Sequence, residues 1–332
     1  MKNAIVAKGP KVTINDVPIP TPSAYQVLIK VVYSGSNPKD WKRPQHGEPY
    51  NSGDDIAGLV EAVGENVVEF RKGDRVAAFH EMMTPYGSFA EYAIAEDCTT
   101  FHLPKKTSFE EGAAIPLVAM TAAVGFYLRL GLPEPWKPTS APTPLIVYGA
   151  SGAVGAYAIK LAQLSNIHPI IAVAGRASDF VEKLITREKG DTIVDYRKGD
   201  EAVVAGILEA LKKAGAREVK YAFDAISEHN SFQNISKILA KQGSKITLYH
   251  DGRQCPMAPS EDKAKLGIKT GGKEFGYAYF RLFSRGLREG WFTAHPYEVV
   301  PGGLNGLEKG LSDLKNDVNS GTKYIYKIED TR

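Results

Sequence analysis

Over the first 110 or so positions the apolar residues come in short runs: Val27 to Tyr33, Ile56 to Val63, Gly73 to Phe79 and Phe89 to Ala95. Clusters of Gly, Pro, Asn and Asp separate them, so this part of the chain reads as strands joined by tight turns. The period changes at Ser108. With Glu111 it forms a capping-box pattern, and it opens an apolar stretch from Ala113 to Leu130 that is expected to be helical. Pro133 to Pro144 carries five prolines and no periodicity, and is expected to be loop.

From Leu145 strand and helix alternate. Strands are expected at Leu145 to Tyr148, Pro169 to Ala174, Thr192 to Tyr196, Val219 to Ile226 and Lys245 to Tyr249, with helices from Ala153, Ser178, Asp200 and near Ser231. Strands that alternate with helices form a parallel sheet covered on both faces, a doubly wound α/β arrangement. Further on, Gly276 to Leu287 and Gly303 to Leu314 have helical periods, and Tyr324 to Ile328 reads as a closing strand. The expected organisation is a β-rich domain over 1–120, a nucleotide-binding domain over 121–267, and a return segment over 268–332 that packs on both and completes the first.

Composition narrows the class. The 332 residues balance 41 Lys and Arg against 38 Asp and Glu, a net charge of +3. That is too small and too evenly spread for a nucleic-acid-binding surface. Cys98 and Cys255 are the two cysteines, too few for a disulfide framework or a four-ligand structural zinc site. No signal-peptide pattern opens the chain, and no apolar run reaches the ~18 residues a membrane helix needs. A soluble, cytoplasmic protein without membrane or nucleic-acid partners is expected.

The candidate chemistry begins at Tyr148-Gly-Ala-Ser-Gly-Ala-Val-Gly155, between an apolar strand and a helix. Glycines there permit a tight turn and close approach of backbone to a pyrophosphate, while the helix amino end supplies free N–H groups and partial positive charge. Gly149, Ser151, Gly152, Ala153 and Val154 are the expected contacts. The competing reading is a turn whose glycines serve conformation alone. The second strand then ends Val173-Ala174-Gly175-Arg176-Ala177-Ser178, with no carboxylate to accept from adenosine ribose hydroxyls. Arg176 and Ser178, reached past Gly175, suit a 2′-phosphate, so NADPH is expected over NADH. The alternative is that Ser178 caps a helix and Arg176 is a solvated charge.

With the glycine turn, the β-rich start, Ser36-Asn-Pro-Lys-Asp-Trp-Lys42 and His295-Pro-Tyr-Glu-Val-Val-Pro-Gly-Gly303 in view, the chain resembles the zinc-independent medium-chain dehydrogenase/reductases. Within them it is most similar to the fungal branch of quinone-oxidoreductase-like proteins and trans-acting enoyl reductases that accompany polyketide synthases. The resemblance implies a GroES-like catalytic domain and a Rossmann domain. Zinc-dependent relatives carry a catalytic Cys where this chain has Asn37, and Gly-His-Glu where it has Gly53-Asp54-Asp55, so no metal site is expected. The resemblance also implies cofactor contacts from Thr121, Tyr196, Tyr249 and Lys323.

The chemistry implied is reduction of a carbon–carbon double bond conjugated to a carbonyl, in an enone, quinone or enoyl thioester. NADPH gives hydride to the β carbon, and charge collects on the carbonyl oxygen. Lys42 matches a lysine implicated in the trans-enoyl reductases and is the first candidate to stabilise that charge. Asn37 is a candidate to orient the carbonyl or the nicotinamide, and Tyr50 to shape the pocket or deliver a proton through water. Asp54 and Asp55 read as general bases, as turn residues or as partners of a nearby basic residue. The acceptor is expected to be a small molecule or to arrive on a polyketide synthase acyl carrier, and the protein to be a monomer or a homodimer. Competing readings are a carbonyl reductase and a non-catalytic NADPH sensor. The aromatic run Phe275, Tyr277, Tyr279, Phe280 and Phe283 reads as core or subunit contact, or as part of a substrate box.

Overall fold

Antiparallel pairing organises the first part of the chain. β1 (Lys2–Ala7) and β2 (Lys11–Asp16) form a hairpin, and β3 (Gln26–Gly35) is the centre of a larger sheet. After β3 comes a short helix, α1 (Pro38–Lys42), and then β4 (Asp55–Val63), β5 (Arg75–Phe79), β6 (Tyr92–Glu96) and β7 (Thr100–His102). β3 pairs with β4 along its length and with β6 over Gln26 to Lys30, while β5 joins β4 to β7. Val27, Ile29 and Val31 send one face of β3 into a core shared with Ile56, Val60 and Val76, while Leu28 is buried on the opposite face. This computed structural model describes residues 1–248 and 272–332, and the chain divides into two units, with the boundary in the described residues between Met120 and Thr121 and the stretch 272–332 belonging to the first.

The expected helix from Ala113 to Leu130 is broken. Ser108 accepts from the Glu111 N–H at 3.1 Å and Glu111 returns to the Ser108 N–H at 2.8 Å, so the capping box is present, but it caps α2 (Phe109–Ala113) alone. Pro116 then opens α3 (Pro116–Ala123), followed by a π-helical turn over Val124–Arg129. Proline has no N–H to continue the first helix and its fixed φ suits the first position of the next.

The second unit is a five-stranded parallel sheet. In chain order it holds β8 (Leu145–Tyr148), α4 (Ala153–Leu164), β9 (Ile170–Ala174), α5 (Ser178–Glu182), β10 (Thr192–Asp195), α6 (Asp200–Lys213), β11 (Tyr221–Asp224), α7 (Ser231–Ser236) and β12 (Lys245–Leu248). The strand order is β10-β9-β8-β11-β12. The first strand is central and the order reverses between β8 and β11, which is the doubly wound Rossmann topology; right-handed crossovers in opposite directions put helices on both faces. Ile146, Ile171, Val173, Val203 and Ile207 fill its core.

The chain closes in the first unit. α8 (Gly272–Glu289) buries Tyr279, Phe280 and Phe283, with Phe280 stacked on Phe101 at 5.4 Å and Phe283 on Phe292 at 4.7 Å, so most of the aromatic run is core. Tyr277 is exposed beneath the Arg281 guanidinium. β13 (Tyr297–Val300), α9 (Leu307–Lys315) and β14 (Lys323–Lys327) follow. β14 runs antiparallel to β3, with Ile325 opposite Gly35, and β13 lies parallel to β14 at the sheet edge.

Candidate active site

Sheet register assembles the first part of the site. Gly35 faces Asp55 on one side and Ile325 on the other. A Cβ at Gly35 would strike the Ala113 carbonyl and stand 3.0 Å from Lys323 Cε and 3.1 Å from Asp55 Cβ, so only glycine lets these chains converge. The next residues inherit that convergence. Lys323 donates to Asn37 Oδ1 at 2.6 Å and to the Ser36 carbonyl at 3.1 Å, and pairs with Asp55 Oδ2 at 2.8 Å. Asn37 Nδ2 donates to the same carboxylate oxygen at 2.7 Å, and the other Asp55 oxygen accepts from the Leu117 N–H at 2.6 Å. Lys323, Asp55 and Asn37 are all buried. The three ammonium protons of Lys323 are therefore matched by three oxygens of this unit, and the Asn37 amide is held at both ends. Asp55 is the partner of a basic residue.

A second, largely buried cluster sits beside the first in sequence, on Lys39, Asp40, Ser52 and Asp54. Lys39 pairs with Asp40 Oδ1 at 2.6 Å and more closely still with Asp54 Oδ2, and donates to the Ser52 carbonyl. Asp40 accepts from the Asn37 N–H at 2.8 Å, and Ser52 Oγ donates to the Asp40 carbonyl at 3.0 Å. Burial pushes both carboxyls above the usual range, against the pull of the Lys39 ammonium. For Lys39 burial acts downward, but its two carboxylate neighbours outweigh it and hold the ammonium charged. Neither cluster was legible in advance, because Asp54 and Asp55 gave no clue to which of 41 basic residues would meet them.

Lys42, the last residue of α1, and Tyr50 line one pocket of about 1270 Å3 in this unit, together with Arg43, His46, Ile5 and Met83. The Lys42 ammonium lies 5.6 Å from the centroid of the Trp41 ring. Tyr50 is fixed by two backbone bonds with Val6, 2.9 Å and 3.2 Å long, and burial raises its phenol above the ordinary value. The structure thus brings Lys42 and Tyr50 together at a cavity, while the buried Asn37 amide is engaged with Lys323 and Asp55. Among the described residues no group of three His, Cys, Asp or Glu could hold a metal ion.

In the second unit the glycine turn has the shape of a phosphate cradle. Gly149 has φ +76°, and Gly152, exposed, is the N-cap of α4 with extended backbone. A Cβ on Gly155 would collide with the Gly149 carbonyl and lie 3.0 Å from Ala150 Cα. One on Gly152 would meet nothing nearer than 3.4 Å. Ser151, Ala153 and Val154 complete the turn and the first α4 positions, where N–H groups lack helical acceptors. Such a cradle fits an anionic diphosphate.

At the end of β9, Gly175 is packed against the Tyr196 ring, which a Cβ would meet at 2.5 Å. Arg176 is exposed, and Ser178 is the first residue of α5 with Ala177 as N-cap, so Ser178 does not cap the helix. Asp195 at the end of β10 is committed to Arg197 through Oδ1 and Oδ2 at 2.9 Å and 2.7 Å, bonds that hold its carboxyl at about 2. Thr121 lies within α3, half-buried. Tyr249 lies outside the described residues.

Residues 23–105 match the alcohol dehydrogenase GroES-like domain family. Over 315 residues the chain is 47% identical to the trans-enoyl reductase fsr4 of Gibberella fujikuroi, covering 92% of each. It is 29% identical to the trans-enoyl reductase ACTTS2 of Alternaria alternata over 98% of each. Among solved structures, an alcohol dehydrogenase superfamily protein from Novosphingobium aromaticivorans superposes with a TM-score of 0.76 at 20% identity, over 98% of this chain and 99% of that one. The chain belongs to the medium-chain dehydrogenase/reductases, and within them to the fungal trans-enoyl reductase branch. It is a reductase of a family whose cofactor is a nicotinamide dinucleotide. Among the described residues no helix is long and apolar enough to cross a membrane.

Proposed function

We propose that the protein is a zinc-independent, NADPH-dependent enoyl reductase that saturates a carbon–carbon bond conjugated to a carbonyl. The observation that carries this reading is the 47% identity to a trans-enoyl reductase over nearly the whole chain, with Lys42 and Tyr50 facing one cavity. The nicotinamide, when bound, supplies the hydride. Gly149, Ser151, Gly152, Ala153 and Val154 would hold the diphosphate, and Arg176, Ser178 and Tyr196 the adenosine end. NADPH is favoured because no free carboxylate closes β9, while the carboxylate closing β10 is neutralised by Arg197.

The residues of the first unit then act on the acceptor. As the β carbon gains hydride, charge moves to the carbonyl oxygen, where the Lys42 ammonium stabilises it; preorganised donors of this kind contribute about 3 kcal/mol. Tyr50 shapes the same pocket and, with its phenol kept protonated by burial, is placed to pass a proton through water to the α carbon. Asn37 and Lys323 act as support, since their polar atoms serve each other and Asp55. A metal-free mechanism is supported by what stands at the implied ligand positions: a buried amide at Asn37 and an ion-paired carboxylate at Asp54.

Turnover of an enone, a quinone, an enoyl thioester and an aldehyde, before and after exhaustive chelation, tests the reading. Saturation of the enoyl thioester or enone, undiminished by chelator, is expected. Reduction of the aldehyde alone would move the protein to the carbonyl reductases, and tight NADPH binding without turnover of any acceptor would make it a sensor.

A further inference from the structure

α1 has five residues, too few to hold its own place. Its position must come from side chains that leave it: Trp41, which packs on the core of this unit, and the charged Lys39 and Asp40. From α1, Lys39 reaches Asp54 and the Ser52 carbonyl on the segment that also carries Tyr50, while its neighbour Asp40 receives Ser52 Oγ on its carbonyl. Relative side-chain exposures are 14% for Lys39, 0% for Asp40 and 1% for Asp54. Lys42 follows Lys39 by three residues, a spacing that makes the two side chains neighbours on a helix. The 50–54 segment is anchored at its other end, where Tyr50 pairs with Val6 and Asn51 donates to the Gly87 carbonyl at 3.0 Å. Lys39 thus ties the piece bearing Lys42 to the piece bearing Tyr50 through Asp54 and the Ser52 carbonyl.

We infer that Lys39 is a positioning residue: clamped between Asp40, Asp54 and the Ser52 carbonyl, it sets where Lys42 stands relative to Tyr50 across the pocket. The inference rests on the reading of Lys42 as the group that stabilises charge on the acceptor. A buried ion pair is a costly way to gain stability, because apolar residues of similar size do as well or better. It is a good way to hold one geometry, since a displacement of about 1 Å at a reacting centre costs on the order of 100-fold in rate. The cluster also has one carboxylate more than it has cations, so removing one leaves a matched pair in place.

That imbalance supplies the test. Asp54→Leu removes the ion-paired tie to the 50–54 segment, keeps the two bonds to Ser52, and leaves Lys39 balanced by Asp40. We expect it to lower kcat by about 10- to 100-fold, with acceptor KM and cofactor Kd within roughly 3-fold of wild type. Combined with Lys42→Ala, the two losses should be far from multiplicative, because the first acts through the second. Should Asp54→Leu fail to fold, as judged by thermal unfolding, Asp54→Ala, which adds no bulk and keeps the Lys39–Asp40 pair, takes its place in the same cycle. A folded variant with wild-type kcat, or losses that multiply, would overturn the inference while leaving the assignment of Lys42 standing. If Lys42→Ala alone kept full turnover, the assignment itself would fall, and the inference with it.

Discussion

Gly152 and Gly155 separate a conformational use of glycine from a ligand-binding one. An alanine Cβ at Gly155 would press on the Gly149 carbonyl and stand 2.9 Å from its carbon, against backbone that cannot rotate away. Relief needs the strand-to-helix turn to open, and overpacking of this kind costs about 1–3 kcal/mol or more. At Gly152 the nearest atom would be 3.4 Å away, and φ is −70°, so alanine fits the protein itself. Its cost should stay under about 1 kcal/mol, the scale of exchanging a favoured N-cap residue. If a diphosphate rests on this helix end, the added methyl stands where backbone and ligand approach, and affinity should fall by at least ~10-fold, or ~1.4 kcal/mol. Thermal unfolding of both variants and fluorescence titration with NADPH read the two effects apart. Gly155→Ala should lose stability and binding together, and Gly152→Ala binding alone. Wild-type NADPH affinity in Gly152→Ala would refute the placement of the diphosphate.

Three further outcomes are expected. Arg176→Ala should weaken NADPH by roughly 1–3 kcal/mol and leave NADH nearly unchanged, as measured by paired titrations; equal wild-type affinities for the two cofactors would sink the 2′-phosphate assignment. Lys160 in α4 is held down to about 8 by burial, with its ammonium 4.8 Å from the centroid of the Tyr157 ring. Between pH 8 and its unfolded value of 10.5 the unfolded chain binds more protons, so stability contributed by this group rises across that window, and the full cost is carried below it. Lys160→Met should therefore raise the unfolding free energy at pH 7 by up to ~3 kcal/mol, less the lost ring contact, and the gain should shrink toward pH 10.5. Lys323→Met would strand Asp55 and free Asn37, and should destabilise by about 3–5 kcal/mol in chemical denaturation; Asp55→Asn in the same background should recover part of it.

How much of this was readable beforehand follows from where the physics lies. β8, its glycine turn and α4 were legible because an apolar run, turn glycines and a helical period are all local. Pro116, which splits the helical stretch, was visible in the chain but outweighed by the apolar pattern around it. β1 and β2 carry a weak strand signal because both are half-exposed, and β13 because Tyr297, Glu298 and Val299 face outward with no alternation. At the site, Asp54 and Asp55 read as general bases, turn residues or ion-pair partners, and the structure pairs them with Lys39 and Lys323. Lys323 meets Asn37 from 286 positions away, through a strand alignment that no local pattern records. The ammonium of Lys323, the tail lysine implied as a cofactor contact, meets Asn37, Ser36 and Asp55.

Where the hydride lands is the most direct test of the whole account. With NADPH deuterated at C4 of the nicotinamide and an α,β-unsaturated thioester as acceptor, mass spectrometry and NMR of the product should find deuterium on the β carbon and a solvent proton on the α carbon. Deuterium on the carbonyl carbon would contradict conjugate reduction, whatever the affinity for the cofactor.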